Sequence, residues 1–264
     1  MLPLLFRVGP VSVYSFGTMM ALGFIAGGFV LERALRRGGW SPDAAWAIVG
    51  AAVVGGIVGG RLALAVQHWD AFVAAPGWFL ASPSGFIWYG GLLGGVAATL
   101  VPIRRYGIPW RDAADAAAPA LALGYACGKL GCHLAGDGDW GTPTTVPWAV
   151  AYLHGTARWP HAPGVRVHPA PLYELAASLA IFAVLWTMRD RPHAPGWTFG
   201  WYAVLAGTAR LLVEFVRTNP PAFLGLTAAQ WWSVALVAGG GWLLVGARPQ
   251  PAPGATARTA RRAS

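Results

Sequence analysis

Three cations sit inside otherwise apolar runs of this 264-residue chain: Arg61, Lys129 and Arg210. A charge within a stretch long enough to cross a bilayer is costly and marks a candidate functional position. Other polar groups keep them company. Glu174 stands near the start of one run, Glu214 follows Arg210 by four residues, and His133, Asp137 and Asp139 follow Lys129, while Tyr14 and Tyr89 open two further runs. Arginine offers phosphate a planar fork of donors and lysine a compact point charge. A cavity lined by such groups near one membrane surface would suit a phospholipid phosphate. The alternative is that the cations only neutralise Glu174, Glu214 or backbone carbonyls. Arg210 and Glu214, four apart on one helix face, can pair in this way.

Residues 124–141 are the most informative segment. Gly128, Gly131, Gly136, Gly138 and Gly141 interrupt helix propensity where an apolar run ends. Such a stretch can bring backbone N–H groups and short acids to a ligand, or it can be a helix-packing segment followed by an ordinary turn. Cys127 and Cys132 are five apart, face different ways on a helix, and suit neither a disulfide nor a metal. Cys132 and His133 are neighbours in sequence, and neighbours on a helix do not face each other, which disfavours a nucleophile–base pair. The six histidines form no H-x-x-x-H or H-E-x-x-H pattern, so neither metal nor other cofactor is expected.

The elements that must position these residues follow from composition. Hydrophobic residues are 56% of the chain and charged residues 11%, less than half the roughly 25% of a soluble domain. Mean hydropathy is +0.50. Disorder is excluded, and so is a disulfide scaffold, because there are two cysteines. The remaining class is an all-α, polytopic membrane protein. Seven apolar stretches lie near 14–31, 45–67, 86–103, 113–134, 171–188, 197–216 and 228–246, each close to the roughly 20 residues that span a bilayer. Residues 1–10 lack a charged n-region and no cleavage pattern follows the first apolar run, so no secretory signal is expected. The segment 135–170 carries five prolines and is the longest loop; the tail 247–264 is rich in Pro, Ala and Arg and is expected to be disordered. Trp69, Trp78, Trp88, Trp231 and Trp232 fall near span ends, as interfacial anchors do.

The net charge of +9 does not indicate nucleic acid, because the basic residues form short clusters between apolar runs. Alternating the seven spans puts Arg33, Arg36, Arg37, Arg104, Arg105, Arg111, Arg189, Arg191 and the four tail arginines on one side. Only Arg7, Arg158, Arg166 and Arg217 fall on the other. Positive-inside then places the N-terminus outside, the C-terminus and tail in the cytoplasm, and 135–170 in the periplasm. The same alternation brings Arg61, Lys129, Glu174 and Arg210 to the outer side of the membrane. No internal repeat is visible, which argues against a transporter built on inverted repeats.

At these residues the chain resembles the prolipoprotein diacylglyceryl transferase family. Residues 8–17 resemble its amino-terminal I-G-P-x-x-x-x-x-Y-G. Gly59-Gly60-Arg61 matches its glycine–glycine–arginine signature, and Tyr89-Gly90-Gly91-Leu92 sits where the family has H-G-G-L. Gly128-Lys129-Leu130-Gly131-Cys132 sits at G-R-(I/L)-G-N, His168-Pro169 with Leu172-Tyr173-Glu174 at H-P-x-Q-L-Y-E, and Arg210, Glu214, Phe215 and Arg217 at R-x-x-x-E-F-x-R. The departures are specific. Tyr89 replaces the active-site histidine, Lys129 the phosphate-binding arginine, Cys132 an asparagine, Phe16 a tyrosine and Pro171 a glutamine, the pattern of a divergent branch.

The resemblance implies a single membrane domain over 1–246 in the bacterial cytoplasmic (inner) membrane. It also implies transfer of a diacylglyceryl group from phosphatidylglycerol to the lipobox cysteine thiol of a preprolipoprotein signal peptide, with release of glycerol phosphate. Partners would be phosphatidylglycerol, the preprolipoprotein and membrane lipids, with no nucleic acid. The substrate supplies the nucleophile, whose thiol must lose a proton from a pKa of about 8.5. Arg210 is the first choice for the departing phosphate and Lys129 the second. Arg61, Gly131, Cys132, Glu174 and Glu214 complete the phospholipid-binding set. The base is open between Tyr89, His133 and Asp137. The alternatives are a paralogue acting on another acceptor or lipid, and a lipid-binding membrane protein without catalysis.

Overall fold

The computed structural model describes residues 1–77 and 85–247. Trp78 and, beyond Ala247, the basic tail lie outside the described residues.

Helices carry the fold. Among the described residues seven helices of 18 to 26 residues fall on the seven apolar stretches: α1 Ser15–Arg37, α2 Asp43–Gln67, α4 Trp88–Arg105, α5 Trp110–Ala135, α6 Ala170–Met188, α7 Trp197–Glu214 and α8 Ala228–Gly246, with the short α3 Trp69–Ala74 between the second and third. By length and composition α1, α2, α6 and α8 can each cross a membrane. Two small antiparallel hairpins, which the sequence reading did not single out, accompany them: β1 Leu4–Val8 with β2 Val11–Tyr14, and β3 Pro221–Phe223 with β4 Leu226–Thr227.

Contacts divide the chain into two compact units, Gly28–Ala113 and Met1–Gly27 with the residues from Ala114 onward. In the first, α2 and α4 touch backbone to backbone. A Cβ built on Gly59 would lie 2.8 Å from Gly94 Cα, and one built on Gly94 would lie 2.8 Å from Gly59 Cα. In lipid, helix association rests on such close van der Waals packing, which is why small residues line the contact. Gly59→Val should therefore part the two helices. The obstructing atoms are backbone and cannot swing aside, so the loss should reach the upper end of the roughly 1–3 kcal/mol of an overpacked core, read as a lower thermal midpoint in detergent. Gly50→Ala, whose Cβ would meet nothing within 4 Å, is the matched control and should be neutral or better. Equal midpoints for the two variants would refute this packing.

In the second unit, Ala118, Ala122, Ile181 and Leu185 form a buried core with Phe182, Tyr202 and Leu205 packed on it. Asp115 caps a helix remote in sequence: its carboxylate accepts from Gly196 N at 2.7 Å and Phe199 N at 2.8 Å, meeting donors that the start of α7 leaves open. The loop before α6 is folded around a small core of its own. Trp140 stacks on Tyr152 at 5.3 Å and packs beside Trp159 at 5.2 Å, with Val167 fully buried. Five prolines there exclude long helices without excluding order.

Candidate active site

The site grows out of three helix ends and two loop residues, all in the second unit. Lys129 lies in the last two turns of α5. Glu174 lies early in α6, a helix whose first turn carries Pro171, a residue preset for that position. Arg210 and Glu214 occupy the last turns of α7. Asp139 and Arg217 are brought together by backbone: Gly141 N donates to His168 O at 2.9 Å and Thr142 N to Val216 O at 2.8 Å. Gly141 fits this crossing because a Cβ on it would sit 2.9 Å from His168 Cβ.

These six side chains form one ionic network of three cations and three carboxylates. Lys129 Nζ lies 2.6 Å from Asp139 Oδ2 and 2.6 Å from Glu174 Oε2. Arg210 Nε is 3.4 Å from Glu174 Oε1, and its Nη1 is 2.5 Å from Glu214 Oε2 without a hydrogen-bond alignment. Arg217 bonds Asp139 through Nη2 and lies 3.5 Å from Glu174 Oε2 and 3.6 Å from Glu214 Oε2. Glu214 also accepts from Thr227 Oγ1 at 2.6 Å and Asn219 Nδ2 at 2.8 Å. Glu174 and Glu214 are almost wholly buried, which only full pairing makes tolerable. Among the cations Arg210 is the most open, 23% exposed against 14% for Lys129 and 9% for Arg217.

The structure thus brings together Lys129, Glu174, Arg210 and Glu214 of the sequence-nominated residues. Arg210 does pair with Glu214, as their spacing allows. Gly131 lies against α1, where its Cβ would meet Met19 Cβ at 3.0 Å, a packing position. His133 has one ring nitrogen engaged, with Nδ1 3.0 Å from the Tyr152 hydroxyl. Asp137 is joined to the turn through Asp139 N at 3.3 Å; burial raises its carboxyl above the ordinary carboxylate value, against the opposing pull of a hydrogen bond from the Cys132 thiol. Asp139 moves the other way: burial would raise it, but the bond from Arg217 and the charge of Lys129 hold it low. Arg61 and Tyr89 belong to the other unit, on α2 and α4, with the Tyr89 ring edge-on to Trp88 at 5.1 Å.

Sequence placed Asp139 beside Lys129 and Arg217 in the family string without giving either a site role, and Tyr125 was not singled out. Tyr125 donates to Glu174 Oε1 at 2.9 Å. Arg217 carried a signal: it closes the R-x-x-x-E-F-x-R string and stands three residues beyond Glu214, but as the first charge past an apolar run it read as a loop cation.

A phosphate-sized group facing Arg210 would meet a fixed guanidinium backed by two further cations. The pattern for prolipoprotein diacylglyceryl transferase matches residues 3–246. The chain belongs to the prolipoprotein diacylglyceryl transferase family. Among its relatives is the phosphatidylglycerol–prolipoprotein diacylglyceryl transferase of Bordetella parapertussis, 32% identical over 94% of this chain and 96% of that protein. Proteins of the same name from Methylobacillus flagellatus and Chromohalobacter salexigens are each 31% identical, over 92% and 94% of this chain and 95% and 93% of theirs. Against the transferase family's motifs, the Lys129 departure falls at the centre of the ionic network and the Cys132 departure beside it, against Asp137.

Proposed function

We propose that this chain transfers the diacylglyceryl group of phosphatidylglycerol to the lipobox cysteine thiol of preprolipoproteins. The thiol sulfur attacks the glyceryl carbon bonded to phosphate. A C–S bond forms, the C–O bond to phosphate breaks, the thiol proton passes to a base, and glycerol phosphate departs. The phosphodiester carries one negative charge and the departing monoester up to two, so charge develops where fixed cations act most strongly. The observation that carries the reading is the convergence of Lys129, Arg210 and Arg217 on three carboxylates, with Arg210 the most exposed of the three cations.

Arg210 holds the departing phosphate, with Lys129 as second cation and Glu174 and Glu214 as their anchors. Asp137 is preferred as base: burial raises its carboxyl above the ordinary carboxylate value, which makes it the better proton acceptor, whereas His133 has Nδ1 engaged by Tyr152. By resemblance Arg61 assists lipid binding and Tyr89 acts in the chemical step, each to be tested by its own substitution. The seven helices span the bacterial cytoplasmic membrane as one domain over 1–246, with the N-terminus outside and the C-terminus in the cytoplasm. The clusters Arg36-Arg37 and Arg104-Arg105, in the last turns of α1 and α4, support that orientation.

The test is direct. Purified protein is mixed with phosphatidylglycerol and a lipobox peptide, and the peptide is weighed by mass spectrometry while glycerol phosphate is assayed in solution. A peptide heavier by one diacylglyceryl group, with one glycerol phosphate released per peptide, is expected. An unmodified peptide overturns the reading. Reporter fusions after Arg37 and after Arg105 should both read cytoplasmic; a periplasmic signal from either overturns the orientation.

A further inference from the structure

Glu174 is addressed on both oxygens from a single helix. Lys129 Nζ lies 2.6 Å from Oε2, and the Tyr125 hydroxyl donates to Oε1 at 2.9 Å. The two residues are four apart on α5, one turn above the other. The ammonium also lies 5.2 Å from the Tyr125 ring centroid, a cation–π distance. A guanidinium grips a carboxylate with two parallel N–H donors from one side chain. An ammonium is a point charge and lacks that fork. Here an ammonium and a phenol on successive turns together present two donors to one carboxylate.

We infer that Tyr125 is the positioning partner of Lys129. Its hydroxyl supplies a donor to the second Glu174 oxygen while the ammonium holds the first, and its ring braces the ammonium. The composite fork fixes Glu174, and Glu174 fixes Arg210 and Arg217 through contacts of 3.4 and 3.5 Å. Tyr125 thereby sets, through Glu174, the cations that meet the lipid phosphate. This inference rests on the proposed phosphatidylglycerol reading for its effect on transfer, but the fork itself stands on geometry alone. An aromatic residue that served packing only would not need its hydroxyl on a buried carboxylate.

Four proteins test it: wild type, Tyr125→Phe, Lys129→Arg and the double variant. In the lysine background Tyr125→Phe removes a hydrogen bond to a charged group, so kcat/KM for phosphatidylglycerol per folded molecule should fall about ten- to a hundredfold, with KM for the peptide unchanged. In the arginine background one side chain supplies both donors. There the same change should cost less than about threefold, measured against Lys129→Arg alone. Thermal midpoints without lipid should follow the same pattern, a clear drop for Tyr125→Phe beside lysine and little beside arginine. Equal losses in both backgrounds overturn the inference. If wild type makes no thioether, the transfer reading fails, and the thermal cycle still decides the fork. If Lys129→Arg does not accumulate, Tyr125→Phe decides alone: less folded protein with unchanged kinetics per molecule means packing only, and a raised KM for phosphatidylglycerol in intact protein supports the fork.

Discussion

Arg210→Ala is expected to lose nearly all transfer, roughly a hundred- to a thousandfold in kcat/KM, or about 3–4 kcal/mol of transition-state stabilisation. Arg210 is the most exposed cation of the network, 23% open, while Glu174 at 3.4 Å from Nε and Glu214 at 2.5 Å from Nη1 hold its guanidinium in place. Its removal takes one partner from two buried carboxylates and should lower the thermal midpoint, but each keeps other partners. Glu214 keeps Thr227, Asn219 and Arg217, and Glu174 keeps Tyr125, Lys129 and Arg217. A folded protein with a lowered midpoint and transfer per folded molecule almost gone is the signature of a group acting on the reaction. Arg210→Lys should fall between the two, since it keeps the charge and loses the planar fork. Wild-type rates in Arg210→Ala would remove Arg210 from the phosphate role.

The helices were legible because apolar runs near twenty residues leave little else for the chain to do. All seven stretches carry a long helix, with ends displaced by a few residues. The hairpins were not, since two to five residues of strand beside a membrane-length helix give no period to detect. Within the site, charges inside apolar runs announced themselves by their cost, and Lys129, Glu174, Arg210 and Glu214 were found that way. Asp139 and Arg217 lie just past the runs, where a charge costs nothing, and what buries them is a backbone crossing between Gly141-Thr142 and Val216 that no local pattern encodes. Tyr125 escaped for the opposite reason. A tyrosine in an apolar helix is unremarked until its hydroxyl is seen on Glu174.

Three carboxylates matched to three cations look, at first, like a poor anion site. The balance is what lets buried cations exist before the lipid arrives. Unpaired, they would repel one another in a medium that screens them weakly. Glu174 carries most of this duty, because it alone reaches Tyr125, Lys129, Arg210 and Arg217. Glu174→Ala should be the most destabilising single change in the network. Breaking a buried pair by deleting one partner costs about 3–5 kcal/mol, and here one deletion strands charge on three neighbours. A simple count of charge predicts tighter lipid binding in the variant, since its site becomes net positive. Orientation predicts slower transfer, since misplacing reacting groups by about 1 Å costs on the order of a hundredfold. The expected result is therefore a split: a thermal midpoint well below wild type, kcat down by about a hundredfold or more, and KM for phosphatidylglycerol little raised. Glu174→Gln keeps the shape and should recover part of the midpoint, but little of kcat, because the neutral amide no longer holds the three cations. A Glu174→Ala protein with native stability and native kcat would show that Lys129, Arg210 and Arg217 are positioned by something other than their shared carboxylate.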